Sequence, residues 1–182
     1  MRSSYFICYY LPMSYILLIN GPVCAGKSSL TTTFLKNNTD VFCASFDSIK
    51  KNFSQYTDEK YGDIVLDLFY ISATKALDNN MSIVVEPKQE KLNEYREFFE
   101  NKAKEKGYTF HEINIEASKE TMLQRLKKRV EEGKSVNVHT PEDHQIRYDL
   151  YIKNRKNDAL TYNTDNLSTE ELYVRVAKDL NI

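Results

Sequence analysis

The feature that most constrains this chain is the octet from Gly21 to Ser28, which reads Gly-Pro-Val-Cys-Ala-Gly-Lys-Ser. It fits the pattern Gly-x4-Gly-Lys-Ser, which should occur by chance in fewer than about one in a hundred chains of this length. An apolar run from Tyr15 to Ile19 precedes the octet, and a helical pattern from Lys27 to about Lys36 follows it. A strand, a glycine-rich turn and a helix in this order form the context of a phosphate-binding loop.

The backbone of this octet suits an anion. Gly21 and Gly26 permit the dihedral angles that curl a loop around a phosphate group, so that successive N–H groups point inward at the start of a helix. We expect the amides of Cys24 and Ala25 to take part in this cradle. A helix N-terminus would lower the pKa of Cys24, but the simplest interpretation of this cysteine is a small residue that the loop tolerates, not a nucleophile.

The polar side chains of the octet complete the prediction of a nucleotide site. Lys27 supplies a mobile positive charge for the β and γ phosphates, and the Ser28 hydroxyl is placed to ligate Mg2+. Ser29 could donate a further hydrogen bond to the α-phosphate. The predicted cofactors are therefore ATP and Mg2+.

Composition limits the other partners. The formal net charge of −1 over 182 residues provides no global field for nucleic acid or a membrane surface. Three cysteines without metal-ligand spacing indicate free thiols in a reducing, cytoplasmic setting. We expect residues 14–182 to form one domain and residues 1–13 to be a disordered or mis-called leader.

Apolar runs alternate with helical patterns along the rest of the chain. Residues 61–77 predict one such helix, with Ile64, Val65, Leu68, Ile71 and Ala76 at helical spacing. Alternating strands and helices predict an α/β fold, a three-layer P-loop NTPase sandwich with a mainly parallel five-stranded sheet. Besides residues 15–19, the predicted strands are 41–44, 82–85, 108–115 and 160–163. The other predicted helices are 90–106, 118–132, 141–154 and a final one that begins near 168, where Ser168-Thr169-Glu170-Glu171 forms a capping box.

Four polar residues follow predicted strands, namely Asn20, Asp47, Glu86 and Asp165. Ligands of parallel sheets bind at the carboxyl ends of the strands, so we expect these four side chains to converge on one edge.

The chain lacks the Asn-Lys-x-Asp base-recognition motif expected of a GTPase. With its phosphate loop it resembles a group of small P-loop kinases that includes polynucleotide 5′-hydroxyl kinases, zeta-type toxins and chloramphenicol phosphotransferase. The resemblance covers Ile16 to the C-terminus, and the loop is its most specific part. It implies an ATP-dependent phosphotransferase whose acceptor is a hydroxyl on a nucleotide, a nucleic-acid end or a small molecule.

The resemblance also implies roles for the segment from Ser45 to Lys50. In these families an Asp just after the second strand takes the proton of the acceptor, which makes Asp47 the candidate general base. Lys50 stands where polynucleotide kinases carry an Arg, and Glu86 stands where an acidic residue lies near Mg2+ or substrate. The alternatives are a helix N-cap for Asp47 and a solvated strand-end carboxylate for Glu86.

Similar kinases close an arginine-bearing lid over ATP, and the matching segment here is 125–147. Arg125 and Arg129 share one helix face and would stabilise the transferring phosphoryl group. A solvated basic face is the alternative for this helix, because Lys127 and Lys128 are interleaved. Arg147 is a weaker third candidate.

Two remaining segments have weaker signals. In the resembling families a turn like that at Asp165 lies beside the adenine, although a plain turn and helix cap explains the same residues. His139, Asp143 and His144 lack the ligand spacing of a metal site.

Two alternatives to a hydroxyl kinase stay open at this point. A nucleoside monophosphate kinase shares the fold and the lid but transfers to a phosphate, which needs no general base. A regulatory ATPase would bind nucleotide without acceptor-stimulated turnover.

Overall fold

The computed structural model describes residues 14–133 and 140–182. The predicted leader and the residues 134–139 of the predicted lid lie outside this part of the chain. The α/β prediction is confirmed, because a single sheet has helices packed on both faces. None of the helices described is long and apolar enough to span a bilayer.

The sheet contains five described strands in the order β2-β3-β1-β4-β5, and every pairing is parallel. β1 lies at the centre, with Leu17 aligned to Val84 on one side and to His111 on the other. All of its residues are buried, which explains the continuous apolar run. The strands are β1 Tyr15–Asn20, β2 Val41–Ser45, β3 Ser82–Glu86, β4 Thr109–Glu116 and β5 Leu160–Asn163.

Helices cover both faces of the sheet and form two cores. Side chains of β1 alternate between the cores: Leu17 packs with Phe34 in one, and Leu18 packs with Phe69 in the other. The helices are α1 Lys27–Asn37, α2 Phe46–Lys50, α3 Asp58–Asp78, α4 Leu92–Lys106, α5 Lys119–Glu131, α6 Pro141–Asn154 and α7 Thr169–Leu180, with one 3-10 turn at Gln89–Lys91.

The predicted helix at 61–77 exists as α3, but its packed face differs from the apolar spacing that indicated it. Ile64, Leu68 and Ile71 are exposed by 50%, 41% and 57%. The buried residues of α3 are Val65, Phe69, Ala73, Ala76 and Leu77. The helix carries two apolar stripes, and only the stripe through Phe69 packs on the sheet.

Side-chain caps set the start of α2 and α7. Ser45 is the N-cap of α2, and its hydroxyl accepts a hydrogen bond from the Ser48 amide. The alternative interpretation of Asp47 as an N-cap is therefore wrong, since Asp47 lies inside the first turn of α2. The predicted capping box at Ser168 and Glu171 is present at the start of α7.

Candidate functional site

The phosphate loop begins where β1 ends, and its first glycine has no alternative. Gly21 has φ +152°, and a Cβ at this position would lie 2.2 Å from the Ile115 carbonyl oxygen. Gly26, with φ +110°, stands at the start of α1. Both glycines therefore have a positive φ, which residues with a side chain rarely adopt. The Gly21 amide donates to Asn20 Oδ1 at 2.8 Å, which fixes the entry of the loop.

Lys27 lies across this loop. Its Nζ donates to the carbonyl oxygens of Gly21 and Pro22 at 2.7 and 2.8 Å. Burial lowers the pKa of Lys27, and the charges of Glu86 and Asp47 oppose that shift. Glu86 ends β3 and Asp47 follows β2, so both charges come from the carboxyl ends of two neighbouring strands.

Ser28 and Glu86 face each other beside the loop. The Ser28 hydroxyl donates to Glu86 Oε2 at 3.2 Å, and the Ser45 hydroxyl lies 3.4 Å from the same oxygen. Glu86 is half-buried and hydrogen-bonded, so it is more than a solvated carboxylate at a strand end. A hydroxyl and a carboxylate oxygen are ligands that suit Mg2+, and the residues present therefore fit the predicted metal.

Asp47 projects from the first turn of α2. Its carboxylate pairs with Lys50 Nζ at 2.8 Å, and 58% of its side chain is exposed. Asp47 lies two residues from Ser45, whose hydroxyl is 3.4 Å from the Glu86 oxygen that accepts a hydrogen bond from Ser28 of the phosphate loop. The structure thus brings together Lys27, Glu86 and Asp47 and keeps Lys50 next to them.

Arg125 ties α5 to the phosphate loop. Its guanidinium donates to the carbonyl oxygens of Cys24 and Ala25 at 3.2 and 3.4 Å, and to Thr164 Oγ1 and carbonyl oxygen at 2.9 Å each. The Thr164 hydroxyl donates to the Ala25 carbonyl at 2.8 Å. Arg125 therefore binds the outer side of the loop and the turn after β5.

The other cations of α5 divide into two groups. Arg129 is half-buried, and its charge acts on Cys24 and Lys27. The side chains of Lys127 and Lys128 are 80% and 76% exposed and pair with acidic residues on the same helix. Lys127 and Lys128 thus form the solvated basic face that was the alternative for this helix, whereas Arg125 contacts the phosphate loop.

Cys24 adopts φ +65° within the loop. Burial raises the pKa of its thiol despite the opposing charges of Arg129, Lys27 and Arg125. The expected lowering of the Cys24 pKa by a helix N-terminus is therefore outweighed, and the thiol is poorly suited to act as a nucleophile.

Ser29 is exposed in the first turn of α1.

Asp165 joins the turn after β5 to the start of α5. Its Oδ1 accepts the Ser118 amide at 2.8 Å, and this hydrogen bond holds the pKa of Asp165 below its usual range. Ser118 in turn caps α5. These contacts give Asp165 a structural role between β5 and α5, and the nucleotide contact implied by the resemblance stays a prediction.

Sequence reasoning missed Gln89, which touches the phosphate loop. Its Nε2 donates to Asn20 Oδ1 at 2.6 Å, and Asn20 donates to Asn114 at 3.3 Å. Asn154 of α6 donates to the Gln89 carbonyl oxygen at 3.1 Å. Gln89 thus connects the loop to α6, and no motif marks it, because the link depends on three separate segments.

His144 is a second residue that the sequence did not assign. It is 1% exposed, and its Nε2 lies 3.3 Å from the Val23 carbonyl oxygen of the phosphate loop. Since that carbonyl only accepts, Nε2 carries the hydrogen.

Arg147, further along α6, pairs with Glu90. His139, considered with His144 as a metal ligand, lies outside the described residues.

Comparison with known proteins identifies the fold. No family model matches the sequence, and no curated protein matches it. The tunicamycin resistance protein of Deinococcus radiodurans has a similar structure, with a TM-score of 0.61, 17% identity, and coverage of 93% of this chain and 96% of that one. The APS kinase of Mycobacterium tuberculosis, solved with AMPPNP and APS, has a TM-score of 0.59, 16% identity, and coverage of 94% and 100%.

A third similar structure is the Pnkp1/Rnl/Hen1 RNA repair complex, with a TM-score of 0.61 and 15% identity over 82% of this chain. This chain spans 48% of the length of that one. The fold is therefore a P-loop kinase-like fold, as the resemblance implied.

Proposed function

We propose that this chain is an ATP- and Mg2+-dependent phosphotransferase that moves the γ-phosphoryl group of ATP to an acceptor hydroxyl. The observation that carries the proposal is a contact at the phosphate loop: Glu86 accepts a hydrogen bond from Ser28, and the Ser45 hydroxyl, two residues before Asp47, lies 3.4 Å from the same Glu86 oxygen. A lysine for the phosphates and a carboxylate for the acceptor are the two groups that phosphoryl transfer needs at one point. The kinase-like fold of the similar structures supports the same conclusion.

The residues divide the reaction between them. The loop amides bind the phosphate oxygens, and Lys27, which now donates to Gly21 and Pro22, turns its ammonium group to the β and γ phosphates. Asp47 orients the acceptor hydroxyl and takes its proton. The acceptor oxygen forms a bond to the γ-phosphorus while the bond from that phosphorus to the bridging oxygen breaks, and ADP leaves.

Three further groups support this step. Ser28 and Glu86 would hold Mg2+, which neutralises charge on the phosphates when it is bound. Lys50 holds the Asp47 carboxylate in place through its ion pair. Arg129 lies where its charge reaches the loop, and we assign it to the developing negative charge on the phosphoryl group.

The test is ADP production from Mg-ATP with a panel of acceptors. The panel contains nucleosides, nucleoside monophosphates, 5′-hydroxyl oligonucleotides, sugar nucleotides and small alcohols. We expect one acceptor class to stimulate turnover. Lys27→Ala should lose this turnover, and Asp47→Asn should reduce it by roughly a hundredfold or more while keeping the affinity for AMPPNP. Lys128→Ala and Asp67→Asn are matched controls, since both residues are exposed.

Two results would redirect the proposal. Stimulated turnover that survives in Asp47→Asn would favour a phosphate acceptor and hence a nucleoside monophosphate kinase. Tight binding of ATP without stimulation by any acceptor would favour a regulatory ATPase.

A further inference from the structure

A cluster of aromatic rings lies in residues 51–61, which run from the end of α2 into the first turn of α3 and which we call the α2–α3 segment. We call Phe53, Tyr56 and Tyr61 the aromatic platform. The ring centres of Phe53 and Tyr61 are 5.1 Å apart, and those of Tyr56 and Tyr61 are 6.5 Å apart with 27° between the ring planes. All three residues are half-buried, and Phe53 and Tyr56 pack against the core on this side of the sheet.

The platform is continuous with Asp47. Lys50, which pairs with Asp47 at 2.8 Å, has its Nζ 5.8 Å from the centre of the Tyr56 ring. Burial and a hydrogen bond to Asp58 raise the pKa of Tyr56, and the charge of Asp47 adds to this shift. Lys50 therefore links Asp47 to the Tyr56 ring, and Asp47 lies two residues from Ser45, which contacts Glu86 beside the phosphate loop.

Charge around the platform is balanced. Residues 46–63 contain four acidic and three basic side chains. Lys88, whose Nζ lies 5.1 Å from the ring centre of Phe46, pairs with Asp58 at 3.0 Å. A surface with paired charges of this kind does not concentrate polyanions. The surface offers a ligand aromatic rings, and stacking on an aromatic side chain needs only a planar partner.

We propose that the acceptor carries a planar aromatic ring that stacks on the platform of Phe53, Tyr56 and Tyr61 while its hydroxyl reaches Asp47. This inference rests on the proposed function, because it names the acceptor class of the same site. A nucleoside and a small aryl alcohol share this chemistry. Sugars, aliphatic alcohols and acceptors held mainly through phosphates lack it.

Binding, not turnover, tests the inference. The probes are thymidine, 2-phenylethanol and a 5′-hydroxyl thymidine dinucleotide, with glycerol as a probe without a ring. Each is titrated into the full chain by calorimetry in the presence of saturating Mg-AMPPNP, which keeps the probes out of the phosphate loop. We expect saturable binding of thymidine or 2-phenylethanol. The probe that binds more tightly shows whether the acceptor is a nucleoside or an aryl alcohol.

Variants then locate the bound ring. Tyr61→Leu should weaken binding by roughly fivefold to a hundredfold, because it removes one stacking surface. Tyr61→Phe keeps the ring and should stay within about twofold of the unmodified chain. Phe53→Leu should also weaken binding. Tyr173→Leu is the matched control, since the Tyr173 ring packs on Phe34. Unchanged AMPPNP affinity shows that each variant is folded.

Several outcomes would overturn the inference. Among them are equal probe affinity in Tyr61→Leu and the unmodified chain, binding of glycerol as tightly as thymidine, and no binding of any probe. Binding of the dinucleotide alone, with a steep loss in salt, would indicate phosphate contacts instead. Failure of AMPPNP to bind would contradict the proposed function. Titration of the same probes in the absence of AMPPNP would still measure whether the platform binds a ring.

Discussion

The phosphate loop precedes Asp47 in the chain and the α2–α3 segment follows it, and the two are held in different ways. The loop is held through its own backbone groups. The side chains of Arg125 and Thr164 bind its carbonyl oxygens, and Gly21 packs closely on the Ile115 carbonyl. Rings and ion pairs between side chains hold the other segment, including Lys88 with Asp58. A backbone site leaves little freedom for substitution, whereas a side-chain surface can change its ligand without changing the fold.

The largest expected effect is that of Gly21→Ala. A new Cβ would lie 2.2 Å from a backbone oxygen of β4, at a φ that side chains rarely adopt. We expect a loss on the order of 4 kcal/mol or more in the free energy of unfolding, measured in urea, and loss of AMPPNP binding.

Gly107→Ala is the matched control for Gly21. Gly107 also has a positive φ, +71°, but among residues 14–133 and 140–182 no atom beyond its chain neighbours lies within 4 Å of a Cβ built there. The substitution should cost about 1 kcal/mol, mainly from the left-handed backbone. Equal effects of the two substitutions would contradict the claim that close packing makes the loop intolerant.

Beside the platform, α3 should show a comparable contrast between its two apolar stripes. Phe69 is fully buried and Ile71 is 57% exposed. Phe69→Ala should lower the free energy of unfolding by about 3–5 kcal/mol, and Ile71→Ala by less than about 0.5 kcal/mol. Similar losses at both positions, measured by urea unfolding, would show that the stripe through Ile71 is also packed.

The same helix shows where sequence reasoning stops. Local patterns were sufficient for the glycine loop, the buried strand β1 and the capping box at Ser168, because each depends on residues that are close in the chain. The spacing in α3 fitted two faces, and only the position of the sheet selects Phe69 over Ile71. The contacts of Arg125 with Thr164 and of Gln89 with Asn20 join residues 39 and 69 positions apart, and no local pattern encodes them.

Arg125→Ala should have an intermediate effect. It removes four hydrogen bonds from a charged donor and leaves the loop carbonyls of Cys24 and Ala25 with fewer partners. We expect a loss of about 2–3 kcal/mol in thermal or urea unfolding, together with weaker AMPPNP binding. Lys128→Ala, three residues along the same helix and largely exposed, should change stability by less than about 0.5 kcal/mol. A neutral Arg125→Ala would mean that the loop keeps its shape without this tie.

The smallest expected effect concerns the ion pair of the α2–α3 segment, and it depends on pH. A hydrogen bond from Tyr56, followed by contacts with Lys88, holds the pKa of Asp58 below its ordinary value. A carboxyl group with a lowered pKa in the folded state stabilises the protein above its unfolded pKa, and this contribution is lost as the pH falls through the folded value. Asp58 is largely exposed, so the contribution should be less than about 1 kcal/mol.

Unfolding of the unmodified chain and of Asp58→Asn, followed from pH 7 to pH 3, measures this contribution. The stability difference between the two should be largest at neutral pH and should shrink as Asp58 becomes protonated. Lys88→Met should reduce the difference at neutral pH, since Lys88 is one of the groups that favour the charged form. A difference above about 3 kcal/mol would make the segment as rigidly specified as the loop. The contrast between a phosphate loop held through its backbone and an adaptable surface for the proposed acceptor would then fail.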